Sequence, residues 1–270
     1  MDEQTEINRI EVLISNPYYS ELNEAVKLLL SDPKNMHKYI IKKYKCGSLY
    51  WGTILWYVVK MRNIELINVI INNCGINIRN GFGHTLLYYA CTNVDYNMVK
   101  MLINNGADIN ILYDGRSILH ILVSSCYYEN KNLDITTNIV ETLINNGANI
   151  HSKDNLGRTV MHRVMATCNS DMCKLLLSKG GDISVRDLYK ISPFIYSLCP
   201  YKISLNPYSV SLNNMELVKV VIDHISNHDD SIKMLEEMME YTKRYERNDY
   251  IELIKEGLTS YVGSRKYSDI

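Results

Sequence analysis

A hydroxyl residue opens five short apolar segments of this chain. They read TILWYV from Thr53, TLLYYA from Thr85, SILHIL from Ser117, TVMHRV from Thr159 and SPFIYS from Ser192. Successive starts lie 32, 32, 42 and 33 residues apart. A near-constant period of this length marks one supersecondary unit used repeatedly. Such a unit cannot bury its apolar face alone and must stack on its neighbours. The repeat therefore constrains the fold more tightly than any single motif does.

Within each unit the spacing predicts two helices. Two, five and six residues past the hydroxyl stand Leu55/Val58/Val59, Leu87/Ala90/Cys91, Leu119/Leu122/Val123, Met161/Val164/Met165 and Phe194/Ser197/Leu198. That step places them on one stripe of a first helix. The opening Thr or Ser supplies an N-cap oxygen, and Pro193 suits the first helical position. A second stripe reads Ile67/Ile70/Ile71, Val99/Leu102/Ile103, Val140/Leu143/Ile144, Cys173/Leu176/Leu177 and Val218/Val221/Ile222. Asn63, Ser170 and Asn213 are expected to cap these second helices, Asn213 pairing with Glu216 as in a capping box. Gly106, Gly147 and Gly180 follow three of them, where glycine permits the left-handed turn that ends a helix; the first ends at Cys74. Short polar links, LYDGR, KDNLGR and RDLYK, then lead to the next unit as β-turn fingers, with Asp114-Gly115 a tight-turn signal.

The 42-residue interval is explained by an insertion, SSCYYENKNLDITTN, between the helices of the third unit. The fifth unit carries another, CPYKISLNPYSVSLN. Both are expected to be loops. Residues 1–45 read as an N-terminal helical cap or partial repeat, with a helix over 20–30. Repeats follow over 46–78, 79–110, 111–151, 152–184 and 185–228. Residues 229–270 read as a C-terminal helical cap with Glu236, Glu237 and Glu240 on a solvated face.

These residues resemble the ankyrin-repeat family over roughly 20–225. The likeness rests on Thr85-Leu86-Leu87-Tyr88-Tyr89-Ala90, Gly106-Ala107-Asp108, Leu119-His120, Gly147-Ala148-Asn149 and Gly157-Arg158-Thr159. Departures include Gly180-Gly181 for the usual Gly-Ala, and Val58, Leu122, Val164 or Ser197 at the alanine position. The phrasing INNGADIN and INNGANIH, the inter-helix insertions and 21 Tyr against 2 Phe resemble, more narrowly, the ankyrin proteins of poxviruses. The resemblance implies an all-α ankyrin-repeat solenoid of about five repeats with helical caps. It also implies a module that binds host proteins and modulates host range or innate immunity. An alternative is a substrate adaptor recruiting a host ubiquitin ligase through its C-terminal segment, although no F-box-like motif stands in 229–270.

No catalytic constellation emerges. G-x-x-x-x-G-K-[ST] and H-E-x-x-H are absent, and Gly81-Phe82-Gly83 reads as a turn. Seven cysteines without C-x-x-C read as buried free thiols, and the Cys168/Cys173 spacing lacks a second metal half-site. No enzyme activity, metal or cofactor is expected. With 29 basic and 30 acidic residues the net charge is −1, so neither nucleic acid nor an anionic membrane is an expected partner. The chain is expected to be monomeric, in the host cytoplasm, with nuclear entry open. His120 and His162, at the family's histidine position, are expected to bond the turn backbone of the adjoining repeat. Partner contacts are expected from finger residues Tyr113, Asp114, Lys153, Asp154, Arg186, Asp187 and Tyr189. First-helix residues beside the stripe join them: Tyr57, Lys60, Tyr89, Asn93, Ser124 and Arg163. The segment from Leu102 to Asn110 also resembles the target of the hypoxia-pathway asparaginyl hydroxylase. Asn110 would then be a substrate; a plain turn role is the simpler expectation.

Overall fold

The computed structural model describes residues 27, 30–31, 36–41, 54–129, 133–167, 169–198, 215–225, 230–244 and 247–268. Among them every regular element is a helix. In chain order these are α1 (Met36–Ile41), α2 (Ile54–Lys60), α3 (Ile64–Cys74), α4 (Leu86–Thr92) and α5 (Tyr96–Asn104). Then come α6 (Ile118–Glu129), α7 (Leu133–Asn145), α8 (Val160–Thr167), α9 (Ser170–Ser178) and α10 (Pro193–Leu198). The chain continues with α11 (Met215–Ile225), α12 (Ser231–Arg244), a 3-10 turn (Asn248–Tyr250) and α13 (Ile251–Ser268). The chain divides into two compact units, one holding α1–α5 and α7, the other α6 and α8–α13. In the first, α2 packs on α1, α3 and α4, and α5 packs on α4 and α7. In the second, α8 packs on α6, α9 and α10, α9 packs on α11, and α12 and α13 close over α10 and α11.

The first-helix stripes are all buried, from Leu55, Val58 and Val59 through to Phe194, Ser197 and Leu198. The fifth second-helix stripe, Val218/Val221/Ile222, is buried as expected, while the other four are turned by one residue from the expected face. In those four, Leu66/Ile67/Ile70, Met98/Val99/Leu102, Ile139/Val140/Leu143 and Met172/Cys173/Leu176 are the buried sets. Ile71, Ile103, Ile144 and Leu177 are only half-buried. Periodicity fixes the step between core residues; which edge of the stripe turns inward depends on the neighbouring helix.

Capping follows the sequence with one shift. Asn63 Oδ1 accepts from Leu66 N–H at 3.0 Å and Thr85 Oγ1 from Tyr88 N–H at 3.2 Å. The cap of α9 is Asn169 rather than Ser170: its Oδ1 accepts from Met172 N–H at 2.9 Å, which leaves Ser170 as the first helical residue. Asp95 does the same for α5. Each such cap contributes about 1 kcal/mol. Helix α3 ends at Cys74, as expected, and Gly75 caps it at φ 83°. After α5, Gly106 sits at φ 85°, and Gly106 N–H and Ala107 N–H donate to Ile103 and Leu102 carbonyls. These bonds form a Schellman closure.

The insertion of the third repeat is largely helical. Helix α6 runs on to Glu129 and α7 begins at Leu133. Neither helical stretch contains a Gly or Pro to break it. The insertion over 199–213, the Asn213 cap, Thr53 and most of the expected 20–30 helix lie outside the described residues. At the C-terminal end, α12, the 3-10 turn and α13 bury Leu235, Met238, Tyr250 and Ile254. Glu237 is not on a solvated face: it pairs with Arg186 at 2.8 Å, its side chain 19% exposed.

Candidate interaction surface

Three fingers share one construction. In the second unit, Asp154 Oδ1 accepts from Leu156 N–H at 2.9 Å and Arg158 N–H at 3.0 Å. Its own N–H donates to the Arg158 carbonyl at 2.8 Å. Asp187 does the same with Tyr189 and Ile191, at 2.8 and 2.9 Å. In the first unit Asn80 does so with Phe82 and His84, at 2.9 and 3.0 Å. A glycine or other residue with positive φ (Gly83, Gly157, Lys190) closes each loop. Asp and Asn suit this position because a short side-chain carbonyl oxygen reaches backbone donors two and four residues on.

The second oxygen or the amide of the same side chain reaches a residue nine positions later on the following first helix. Asn80 Nδ2 donates to Tyr89 OH at 2.8 Å. Tyr196 OH donates to Asp187 Oδ2 at 2.7 Å, and an Arg163 N–H donates to Asp154 Oδ2 at 3.0 Å. Each finger is thereby tied to its helix.

The signature histidines tie neighbouring fingers. His162 Nδ1 accepts from Thr159 N–H at 3.0 Å, which leaves Nε2 to donate to the Ile191 carbonyl at 3.2 Å. His120 Nδ1 meets Ser117 Oγ at 2.7 Å and Nε2 meets the Arg158 carbonyl at 2.9 Å. Burial holds His120 below the usual histidine range and takes His162 down to about 4. Both stay neutral inside the structure, with their nitrogens engaged by the fold, as the sequence suggested.

This construction corrects several expected contact residues. Tyr57, Tyr89, Tyr113, Asp154 and Asp187 are buried, at 2, 5, 4, 7 and 6% exposure. Tyr57 lies on α2, which three other helices cover. Tyr89 closes the Asn80 finger, and the Tyr113 hydroxyl is paired with Thr85 Oγ1 at 2.8 Å. Asp154 and Asp187 are the keystones of their own fingers. Asp154 is desolvated, which raises its pKa, yet Arg158 and the finger N–H groups take it down to about 2. Lys60, Asp114, Lys153, Arg186 and Tyr189 are exposed, while Asn93, Ser124 and Arg163 are half-buried. Arg186 is nonetheless engaged, donating to Glu237 and to the Lys190 carbonyl.

The chain's matches to known proteins agree with this architecture. A family model described as ankyrin repeats (3 copies) matches residues 18–113 and 55–133, and one described as ankyrin repeats (many copies) matches residues 131–177. The chain belongs to the ankyrin-repeat family. An ankyrin repeat protein of fowlpox virus (strain NVSL) is 30% identical over 172 residues, covering 63% of this chain and 36% of that protein. An ankyrin repeat protein of variola virus (isolate Human/India/Ind3/1967) is 27% identical over 147 residues, covering 52% and 25%. This chain thus spans about a quarter to a third of the length of these relatives. Ankyrin repeats form a protein–protein interaction module, and the fingers are their outward-reaching parts.

Apart from Tyr189, the exposed apolar side chains on the ankyrin fingers went unread in the sequence. Leu188 and Tyr189, at the tip of the Asp187 finger, are 70% and 69% exposed; Phe82 and Leu112 are 38% and 46% exposed. Leu188 N–H donates to the Leu156 carbonyl at 2.9 Å, so the tip is anchored while its side chains face out. The legible signal was their place, one or two residues after a turn-forming Asp or Asn. Asn110 is exposed, with its Nδ2 donating to the Gly147 carbonyl at 3.0 Å and its N–H to Asp108 Oδ1 at 2.9 Å. Cys91 and Cys173 are buried free thiols, the latter pushed up to about 12 by burial. Among the described residues no helix is long and apolar enough to cross a membrane.

Proposed function

We propose that this chain is a binding module for one or more host proteins and that it acts as a viral host-range or innate-immune modulator. The observation that carries the reading is the anchored fingertip. Leu188 and Tyr189 present contact area from a finger fixed by Asp187, so little conformational freedom is lost on binding. Lys153 and Asp114 flank this surface in sequence on the preceding fingers, and Lys60, Ser124 and Asn93 remain candidates on the first helices. The likeness to poxvirus ankyrin repeat proteins supports a host partner. The module is proposed to be monomeric and to work in the host cytoplasm.

Helices α12 and α13 are proposed to cap the last repeat. Their apolar residues Leu235, Met238 and Ile254 are buried, which supports capping over recruitment of a ubiquitin ligase. The test is capture of host proteins from human cells by the full chain, read by mass spectrometry. The double substitution Leu188→Ser with Tyr189→Ser is expected to lose the captured partner while thermal unfolding stays unchanged. Undiminished capture by that variant would overturn the fingertip reading.

A further inference from the structure

The Asp154 finger holds more positive charge than its construction needs. Asp154 Oδ2 accepts from Arg158 Nε at 3.0 Å, from an Arg158 terminal N–H at 2.9 Å and from an Arg163 N–H at 3.0 Å. Its Oδ1 already serves two backbone N–H groups. The carboxylate is filled, since it offers about four lone-pair sites. Two guanidinium groups therefore keep unused donors. Arg163 Nε is buried and has no hydrogen-bond partner, although the side chain as a whole is 20% exposed. Arg116, on the preceding finger, is exposed and lies close enough to Arg163 for the two charges to oppose each other. Three guanidinium groups thus stand around Asp154, and the other carboxylate of the cluster, Asp187, already accepts from Tyr196 OH at 2.7 Å.

The neighbouring repeats show that the charge is not a requirement of the fold. Tyr89 and Tyr196 hold the equivalent position and tie their fingers with one neutral hydroxyl each. Arginine at 163 performs the same tie, adds a charge and leaves a buried donor open. A planar guanidinium with free N–H groups matches a carboxylate in two-point contact.

We propose that Arg163 and Arg116 together accept an acidic side chain, aspartate or glutamate, of the protein partner. This rests on the binding-module reading and adds to it the charge of the residue that docks beside the fingertip. Arg163→Tyr is the decisive variant, because tyrosine already makes the finger bond in two sister repeats. The probe is N-acetylglutamate, with N-acetylglutamine as the neutral control, titrated into the full chain carrying 15N-labelled arginine. The Nε–H resonances of Arg163 and Arg116 are expected to move saturably with glutamate and not with glutamine. In Arg163→Tyr the Arg116 shift is expected to need at least tenfold more glutamate, with thermal unfolding unchanged. Equal responses to the two probes, or an Arg116 response untouched by Arg163→Tyr, would overturn the assignment. So would phosphoserine moving both resonances where glutamate moves neither, which would make the ligand a phosphate. Partner capture by the fingertip variant is read separately, so failure of the acidic contact and failure of the binding surface are distinguishable.

Discussion

Acid should loosen this chain chiefly through one imidazole. His162 Nδ1 accepts from a backbone N–H, that of Thr159, which cannot turn away. Protonating Nδ1 would set two N–H groups against each other inside a buried site. His120 faces the Ser117 hydroxyl instead, which can rotate to accept, so its protonation is less disruptive. The folded pKa of His162, about 4, lies below the ordinary value of 6.5. Between these values the unfolded chain binds the proton more readily, so stability is lost as pH falls through the window and is fully present above it. At about 1.36 kcal/mol per pKa unit, the loss from this group is about 2 kcal/mol at pH ~5 and approaches about 3 kcal/mol below pH ~4. The assay is urea unfolding followed by circular dichroism at pH ~7.5 and ~5, comparing the native chain with His162→Gln. The other titrating groups are common to both proteins and cancel in the comparison. The native chain is expected to lose about 2 kcal/mol more than the variant across that interval. Equal losses in the two proteins would refute the reasoning.

Asp187→Asn should cost under about 1 kcal/mol, because Asn80 makes the same finger with the amide facing a tyrosine hydroxyl; Asp154→Asn should cost about 3 kcal/mol by leaving the buried Arg158 and the half-buried Arg163 without their counter-charge. Denaturant midpoints of the two variants check the contrast, and equal costs would remove the distinction drawn between the fingers. Gly181→Ala, a change toward the family's usual residue, should destabilise by about 1–3 kcal/mol, since the new Cβ would lie 2.5 Å from Met161 Sδ and 2.8 Å from the Leu176 carbonyl. Pairing it with Met161→Val should recover part of that loss in a double-mutant cycle, and strict additivity would count against the clash. Peptides covering Asn110, recovered from human cells, should be unmodified by mass spectrometry, because its side-chain amide is already bonded to Gly147; an added oxygen there would refute the plain turn role.

The sequence by itself determined the repeat and most of its grammar. A period near 33 with a hydroxyl at each start leaves few ways to bury five weak stripes, so the helix pairs, fingers and histidine ties were all readable from one dimension. Local chemistry was readable for the same reason: a capping Thr or Asn, or a glycine at a helix end, acts on backbone within four or five residues of itself. Residues whose role depends on what faces them were not readable. Tyr89, Asp154 and Asp187 look like contact residues in a linear reading, and only the fold shows that each is used up inside its own finger. Arg186 and Glu237 stand 51 residues apart, and their pairing exists only because α12 closes over the last repeat. The converse holds for Leu188: hydropathy places a leucine inside, while the finger's geometry holds it out. Tertiary structure decided which polar groups were already satisfied, and with that, which remain free for a partner.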